Sequence, residues 1–75
     1  MGKPGAVTLT INGEANSYDS GSCPESALCL VESLGIDPGK AVLEINGSIV
    51  RRADWPVTRL ADGDRVEVVG FVGGG

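Results

Sequence analysis

The chain has 75 residues, of which 41% are hydrophobic and 21% charged, and its formal net charge at pH 7 is −4. This length predicts one small globular domain with a modest core, which argues against a deep catalytic cleft. The acidic balance argues against nucleic-acid binding, which normally requires a basic surface. The sequence has no histidine, so the usual general base and the commonest metal ligand are missing.

Residues 7–11 begin the predicted structure with a β-hairpin. Apolar and polar residues alternate along this stretch, the period-2 pattern of a half-buried strand. Asn12-Gly13 then favours a type I′ turn, because both residues tolerate a positive φ. A second strand is expected from about residue 14 to residue 18.

A helix is predicted to follow. Ser22 and Glu25 have the spacing of a capping box, and Pro24 is tolerated in a first helical turn. Gly35 is placed to end the helix, and Pro38 prevents its continuation. Between these signals, apolar residues recur at i, i+3, i+4 and i+7 and predict one buried helix face: Ala27, Leu30, Val31 and Leu34.

The two cysteines, Cys23 and Cys29, are too few for a disulfide framework. On the predicted helix their Cα atoms would lie roughly 9 Å apart, beyond the ~7 Å limit for a bridge. Two cysteines without histidine also make a zinc site implausible. We therefore expect two reduced thiols, Cys29 partly exposed, and no bound metal.

The second half of the chain predicts another hairpin. Residues 42–45 alternate as a third strand, Asn46-Gly47 repeats the type I′ turn signal, and a short strand follows at 48–51. An irregular turn is then expected at 53–55.

Three residues of the following segment have specific predicted roles. Pro56 should halt the irregular turn, and Leu60 should fill the core. Trp55 should fill the core or cover an edge, in preference to serving as a ligand platform. Asp62-Gly63 should then turn the chain into the last strand.

Residues 65–69 predict the last strand, with Val66 and Val68 directed inward. A right-handed crossover through the helix would lay it across one face of a mixed sheet of four to five strands. This α+β arrangement is the β-grasp, or ubiquitin-like, fold. The apolar last strand suits a central position beside the first.

The sequence ends in Phe71-Val72-Gly73-Gly74-Gly75, which we predict to be a flexible tail. Glycine has no Cβ, so such a tail fits a narrow channel and accepts backbone angles that other residues resist. Extended, residues 71–75 reach at most roughly 17 Å. The terminal carboxylate, rather than a side chain, is therefore the best candidate for chemistry, carried out inside another protein. Phe71 could anchor that interface or pack on the sheet edge.

Five segments carry a resemblance to a known family: residues 11–14, 34–38, 45–55, 60–69 and 72–75. In order and spacing they look like the ThiS family, the sulfur carriers of thiamin biosynthesis. The resemblance covers nearly the whole chain after residues 1–5, a loose lead-in to a single domain.

This resemblance implies a carrier that is a co-substrate and not an enzyme. A ThiF-like adenylating enzyme would use ATP to activate the carboxylate of Gly75, which would become a thiocarboxylate and pass its sulfur to a ThiG-like thiazole synthase. Gly73 and Gly74 would give a slender approach, and Phe71 and Val72 would touch the partner. The chain itself would bind no cofactor.

Three other interpretations stay open from the sequence. The first is a sulfur carrier of another pathway, such as the small subunit of molybdopterin synthase. The second is a ubiquitin-like interaction module with an inert tail. The third is a β-grasp RNA-binding domain, which the acidic charge disfavours. With no apolar run long enough for a membrane span and no secretion signal, we expect a cytoplasmic monomer that binds neither membrane nor nucleic acid.

Overall fold

A computed structural model of the chain describes residues 6–19 and 21–70. Within these residues a sheet of five strands packs against one α-helix, and two short 3₁₀ helices lie in the connections. The elements in chain order are β1 (Val7–Ile11), β2 (Glu14–Tyr18), α1 (Ala27–Ser33), a first 3₁₀ helix (Pro38–Lys40), β3 (Ala41–Ile45), β4 (Ser48–Val50), a second 3₁₀ helix (Arg52–Val57) and β5 (Arg65–Gly70).

The strand order in the sheet is β2-β1-β5-β3-β4. β5 pairs with β1 in parallel and with β3 in antiparallel orientation, so the sheet is mixed. The last strand is therefore central and lies beside the first. This confirms the predicted β-grasp fold.

Both hairpins close with the turn that the sequence predicts. Asn12 and Gly13 have φ values of 49° and 87°, and Asn46 and Gly47 have φ values of 53° and 87°. Positive φ at both central residues is the mark of a type I′ turn, whose twist matches that of the flanking strands.

The core lies between α1 and the inner face of the sheet. It is built from one face of the helix, alternate positions of three strands and the second 3₁₀ helix: Leu9, Ile11, Ala27, Leu30, Val31, Ala41, Leu43, Trp55, Val66 and Val68. Trp55 is 1% exposed, so of its two predicted positions, core and edge, it occupies the core. Its indole nitrogen donates a hydrogen bond to the Val50 carbonyl at 2.8 Å, so its one polar group is satisfied.

The helix begins later than the sequence predicts. Ser26 is the N-cap, because its Oγ accepts a hydrogen bond from the Cys29 amide at 3.2 Å. Capping by Ser22 is therefore wrong; its amide and hydroxyl both donate to the Asp19 carbonyl in a turn before the helix. A tertiary bond favours the later start, since the amide of Ala27 donates to the Thr58 carbonyl at 2.9 Å.

The end of the helix confirms the predicted role of Gly35. Its φ is 76°, and its amide donates to the Glu32 carbonyl at 3.0 Å. The next amide, of Ile36, donates to the Val31 carbonyl at 3.4 Å, which completes a Schellman motif. Leu34, predicted on the buried face, is instead 39% exposed because it lies at the C-cap, where the chain turns away.

The turn around Trp55 is longer than predicted. The second 3₁₀ helix continues through Pro56 to Val57, so the predicted halt at Pro56 is wrong. Proline removes one amide donor, but the amide of Thr58 still closes the helix on the Trp55 carbonyl at 3.2 Å. Leu60 packs against the core, as predicted.

The central contact of α1 with the sheet can be tested by Leu30→Ala. Leu30 is fully buried, so its truncation should lower the free energy of unfolding by about 2–5 kcal/mol, a large share for a small domain. Leu34→Ala, at the C-cap and partly exposed, should cost clearly less. Urea denaturation of both variants measures the difference, and equal losses would contradict this helix register.

The second hairpin turn can be tested by Gly47→Ala. A Cβ at this position meets nothing within 4 Å, so the cost should come from the backbone alone. We expect a loss of about 1–2 kcal/mol in the free energy of unfolding, because the residue keeps a left-handed conformation. Gly21→Ala is the matched control, with equal space and no left-handed φ, and should cost nothing. A Gly47→Ala variant as stable as this control would argue against the type I′ turn.

Candidate functional site

The predicted site residues at the end of the sequence lie outside the described residues. For Phe71, Val72, Gly73, Gly74 and Gly75, the predicted roles therefore stay predictions. The part of the site that the structure describes is the strand from which they continue, β5, together with the surface around it.

Strand β5 is held by hydrogen bonds along both edges. On the β3 edge its register runs to Val69 and Gly70, which pair with Val42 and Ala41. On the β1 edge the backbone pairing reaches Val66, whose carbonyl accepts the Asn12 amide at 2.8 Å. The strand that leads to the tail is thus part of the rigid body of the protein.

The Asn12 side chain extends the hydrogen bonding on the β1 edge of β5 to Val68. Its Oδ1 accepts the Val68 amide at 2.8 Å, and its Nδ2 donates to the Val68 carbonyl at 3.2 Å. The side-chain amide therefore takes the place of another β1 residue. Sequence reasoning assigned Asn12 only to the turn and missed this role, because nothing local in the sequence indicates a bond across 56 positions.

The outward face of β3, β4 and β5 carries both apolar and acidic side chains. Leu43, Val66 and Val68 point into the core, so their neighbours along the strands point to solvent. We call the following five outward residues the exposed sheet face: Val42, Glu44, Ile49, Glu67 and Val69.

The apolar members of the exposed sheet face are open to solvent. Val42 is 38% exposed, Val69 57% and Ile49 70%. Val42 lies directly opposite Val69, and Glu44 lies opposite both Glu67 and Ile49. Apolar side chains grouped on a surface mark an interaction site more often than scattered ones do. The period-2 pattern of β3 and β5 could have identified them from the sequence.

The two glutamates of the exposed sheet face lie directly opposite each other on β3 and β5. Like charges in this position destabilise a sheet slightly. Arg65 of this chain lies on the same face, two positions before Glu67 on β5. An open groove of about 350 Å³ adjoins them, lined by Glu44, Asn46, Gly47, Arg65 and Glu67.

The cysteines lie apart from the exposed sheet face. Cys23 precedes α1, so the predicted helical spacing of the two thiols is wrong, although both are free. Burial raises the pKa of the half-buried Cys23 thiol, which keeps it protonated and weakly nucleophilic at neutral pH. Cys29 is exposed, beside a second groove of about 350 Å³ lined by Glu25, Ser26, Cys29, Pro56, Val57 and Arg59.

Residues 6–19 and 21–70 contain no group of three or more potential metal ligands. No helix of this part of the chain has the length and apolar character needed to cross a membrane.

Two longer proteins each contain a segment similar to most of this chain. Thiazole synthase from Paramagnetospirillum magneticum is 36% identical over 69 residues, and thiazole synthase from Magnetococcus marinus is 35% identical over 69 residues. Each match covers 92% of this chain but only 20% of the relative. The chain therefore spans about a fifth of the length of these curated relatives.

Solved structures of similar length share the fold. The crystal structure of the thiamine biosynthesis protein ThiS from Geobacter metallireducens is 30% identical, has a TM-score of 0.71 and covers 92% of this chain and 100% of that chain. An NMR structure of a thiamine biosynthesis protein from the same organism is 31% identical, with a TM-score of 0.74 and coverages of 92% and 88%. The profile of the ThiS family matches residues 9–75. The chain thus belongs to the ThiS family.

Proposed function

We propose that this protein carries sulfur for the thiazole ring of thiamin, as a thiocarboxylate on Gly75, and that it is a co-substrate of other enzymes. The family match, which runs through Gly75, supports this proposal. The observation that carries it is the position of β5 at the centre of the sheet, ending at Gly70, five residues before Gly75. The reactive end is thus joined by a short segment to the most firmly paired strand.

The proposed chemistry begins with activation of the terminal carboxylate. A carboxylate is a poor electrophile at neutral pH because it is already anionic. Attack by its oxygen on the α-phosphorus of ATP releases pyrophosphate and forms an acyl-adenylate. A sulfur nucleophile then attacks the carbonyl carbon and expels AMP, which leads to the thiocarboxylate. In this proposal ATP is bound by a ThiF-like adenylating enzyme, not by this chain.

A thiazole synthase is the proposed acceptor of the sulfur. The relatives named thiazole synthase contain a segment similar to this chain within a longer polypeptide. Joining two interacting modules in one chain makes their encounter intramolecular, at effective concentrations of roughly millimolar for short linkers. Such a fusion supports a direct contact between this carrier and a separate thiazole synthase.

The exposed sheet face is the proposed docking surface for the adenylating enzyme. Ordering a glycine tail in a channel costs conformational entropy, so contacts of the folded surface must supply much of the affinity. Val42, Ile49 and Val69 offer apolar contacts, and Glu44 and Glu67 favour a basic side chain on the partner. Val69 lies on the strand that leads to the tail, so docking here brings Gly75 within reach of the bound nucleotide.

The proposed modification can be measured by intact mass spectrometry. After incubation with a ThiF-type adenylating enzyme, ATP and a sulfur source, the mass should change by the exchange of one oxygen for one sulfur. Fragmentation should place this change at Gly75.

Two controls make the mass measurement decisive. A chain without Gly75 and a reaction without ATP should both keep the original mass. An unmodified full chain, in a reaction where the same enzyme loads its own carrier, would refute the sulfur-carrier role and favour an interaction module with an inert tail.

The docking surface can be tested by Val69→Asp. A charge introduced into the interface should raise the KM for the carrier in adenylation about ten-fold or more, with kcat largely kept. Val57→Asp is the matched control, because Val57 is 77% exposed but lies on the second 3₁₀ helix, away from the sheet face. Equal KM values for both variants would contradict docking through this face. A defect confined to sulfur transfer would instead assign the face to thiazole synthase.

A further inference from the structure

The last residue of β5, Gly70, is in close contact with the segment that follows the helix. A Cβ built on Gly70 would lie 2.9 Å from Cγ2 of Ile36, and 3.8 Å and 3.9 Å from its Cγ1 and Cβ. A separation below 3.0 Å is one that real Cβ atoms essentially never show. Among the glycines in residues 6–19 and 21–70, only Gly70 has such a close approach. Position 70 therefore favours glycine because a larger residue would crowd the Ile36 side chain.

Ile36 has little freedom to move away from this contact. Its branched Cβ restricts χ1, and its amide is fixed to the Val31 carbonyl at the end of α1. On its other side, Asp37 caps the first 3₁₀ helix by accepting the Gly39 amide at 2.9 Å. The Ile36 side chain is also half-buried and packs against the core.

Gly70 is also held by the sheet. It pairs with Ala41, a buried residue that starts β3 directly after the first 3₁₀ helix. Two residues earlier, Val68 is bonded to the Asn12 side chain. The end of β5 is therefore fixed by backbone pairing along its edge and by the Ile36 side chain.

We propose that Ile36 and Gly70 are a positioning pair that sets the direction in which the chain leaves β5. This inference rests on the proposed function and assigns a role to residues that do not touch the reacting atoms. With the exposed sheet face docked, residues 71–75 must absorb any change in the direction of the chain at Gly70 before Gly75 can meet the nucleotide. A misplacement of about 1 Å at a reacting group can reduce a rate by roughly 100-fold. The direction at Gly70 therefore affects how often Gly75 reaches the nucleotide in a productive position.

A double-mutant cycle tests the pair. The four proteins are the wild type, Gly70→Ala, Ile36→Ala and the double variant, and the readout is pyrophosphate release by a ThiF-type adenylating enzyme with ATP. Gly70→Ala should lower kcat about ten-fold or more, with KM within about two-fold, because the exposed sheet face still docks. In the Ile36→Ala background, where the crowding atoms are gone, the same change should lower kcat less than about three-fold.

Several outcomes separate this role from a structural one. A Gly70→Ala variant with wild-type kcat, an equal loss in both backgrounds, or a change in KM alone would each overturn the positioning role. Thermal melting of all four proteins shows whether they are folded. If Gly70→Ala does not fold, Ile36→Ala alone carries the test, with kcat expected to fall about three-fold at unchanged KM; an unchanged kcat would overturn the proposal. A wild type that is not adenylated at all would refute the proposed function itself.

Discussion

The pairing of β5 between β1 and β3 is the constraint on which the rest of the structure depends. Its inward residues, Val66 and Val68, are 0% and 5% exposed beneath the helix, so the strand belongs to the core as well as to the sheet. Because it is central, both of its edges are used for hydrogen bonding. A strand fixed in this way gives a defined starting point to the residues that follow it.

The alternation of side chains lets one strand serve two purposes. Odd and even positions of β5 face opposite sides of the sheet, so the residues that stabilise the core leave the outward positions free for recognition. Val69 and Glu67 occupy those outward positions, next to Val42 and Glu44 of β3. The surface proposed for docking and the strand that leads to Gly75 are consequently parts of one rigid element.

The features that the sequence predicted well are those determined by neighbouring residues. The Asn12-Gly13 and Asn46-Gly47 turns follow from the backbone preferences of two residues, and the strands follow from their period-2 patterns. The predicted start of α1 was wrong. Ser22 has capping-box spacing to Glu25, but the helix begins after Ser26, where the Ala27 amide bonds to the distant carbonyl of Thr58.

The described part of the candidate site was predictable to a similar extent. The outward residues of β3 and β5 could be predicted because side chains alternate along a strand and the inward residues were identified from their period-2 pattern. The bond from Asn12 to Val68 and the contact of Ile36 with Gly70 were not predictable, because each joins residues that are close only in the folded chain.

The hydrogen bonds around Val68 also have a mechanical consequence. When a partner draws on the end of the chain, the force acts along the axis of β5, while its ladder bonds to β3 run across that axis. Such a pull shears these bonds together instead of opening them one after another. The Asn12 amide adds two more bonds on the opposite edge, close to where the load enters. The ladder bonds to β3 and the two Asn12 bonds therefore resist a pull along β5 together.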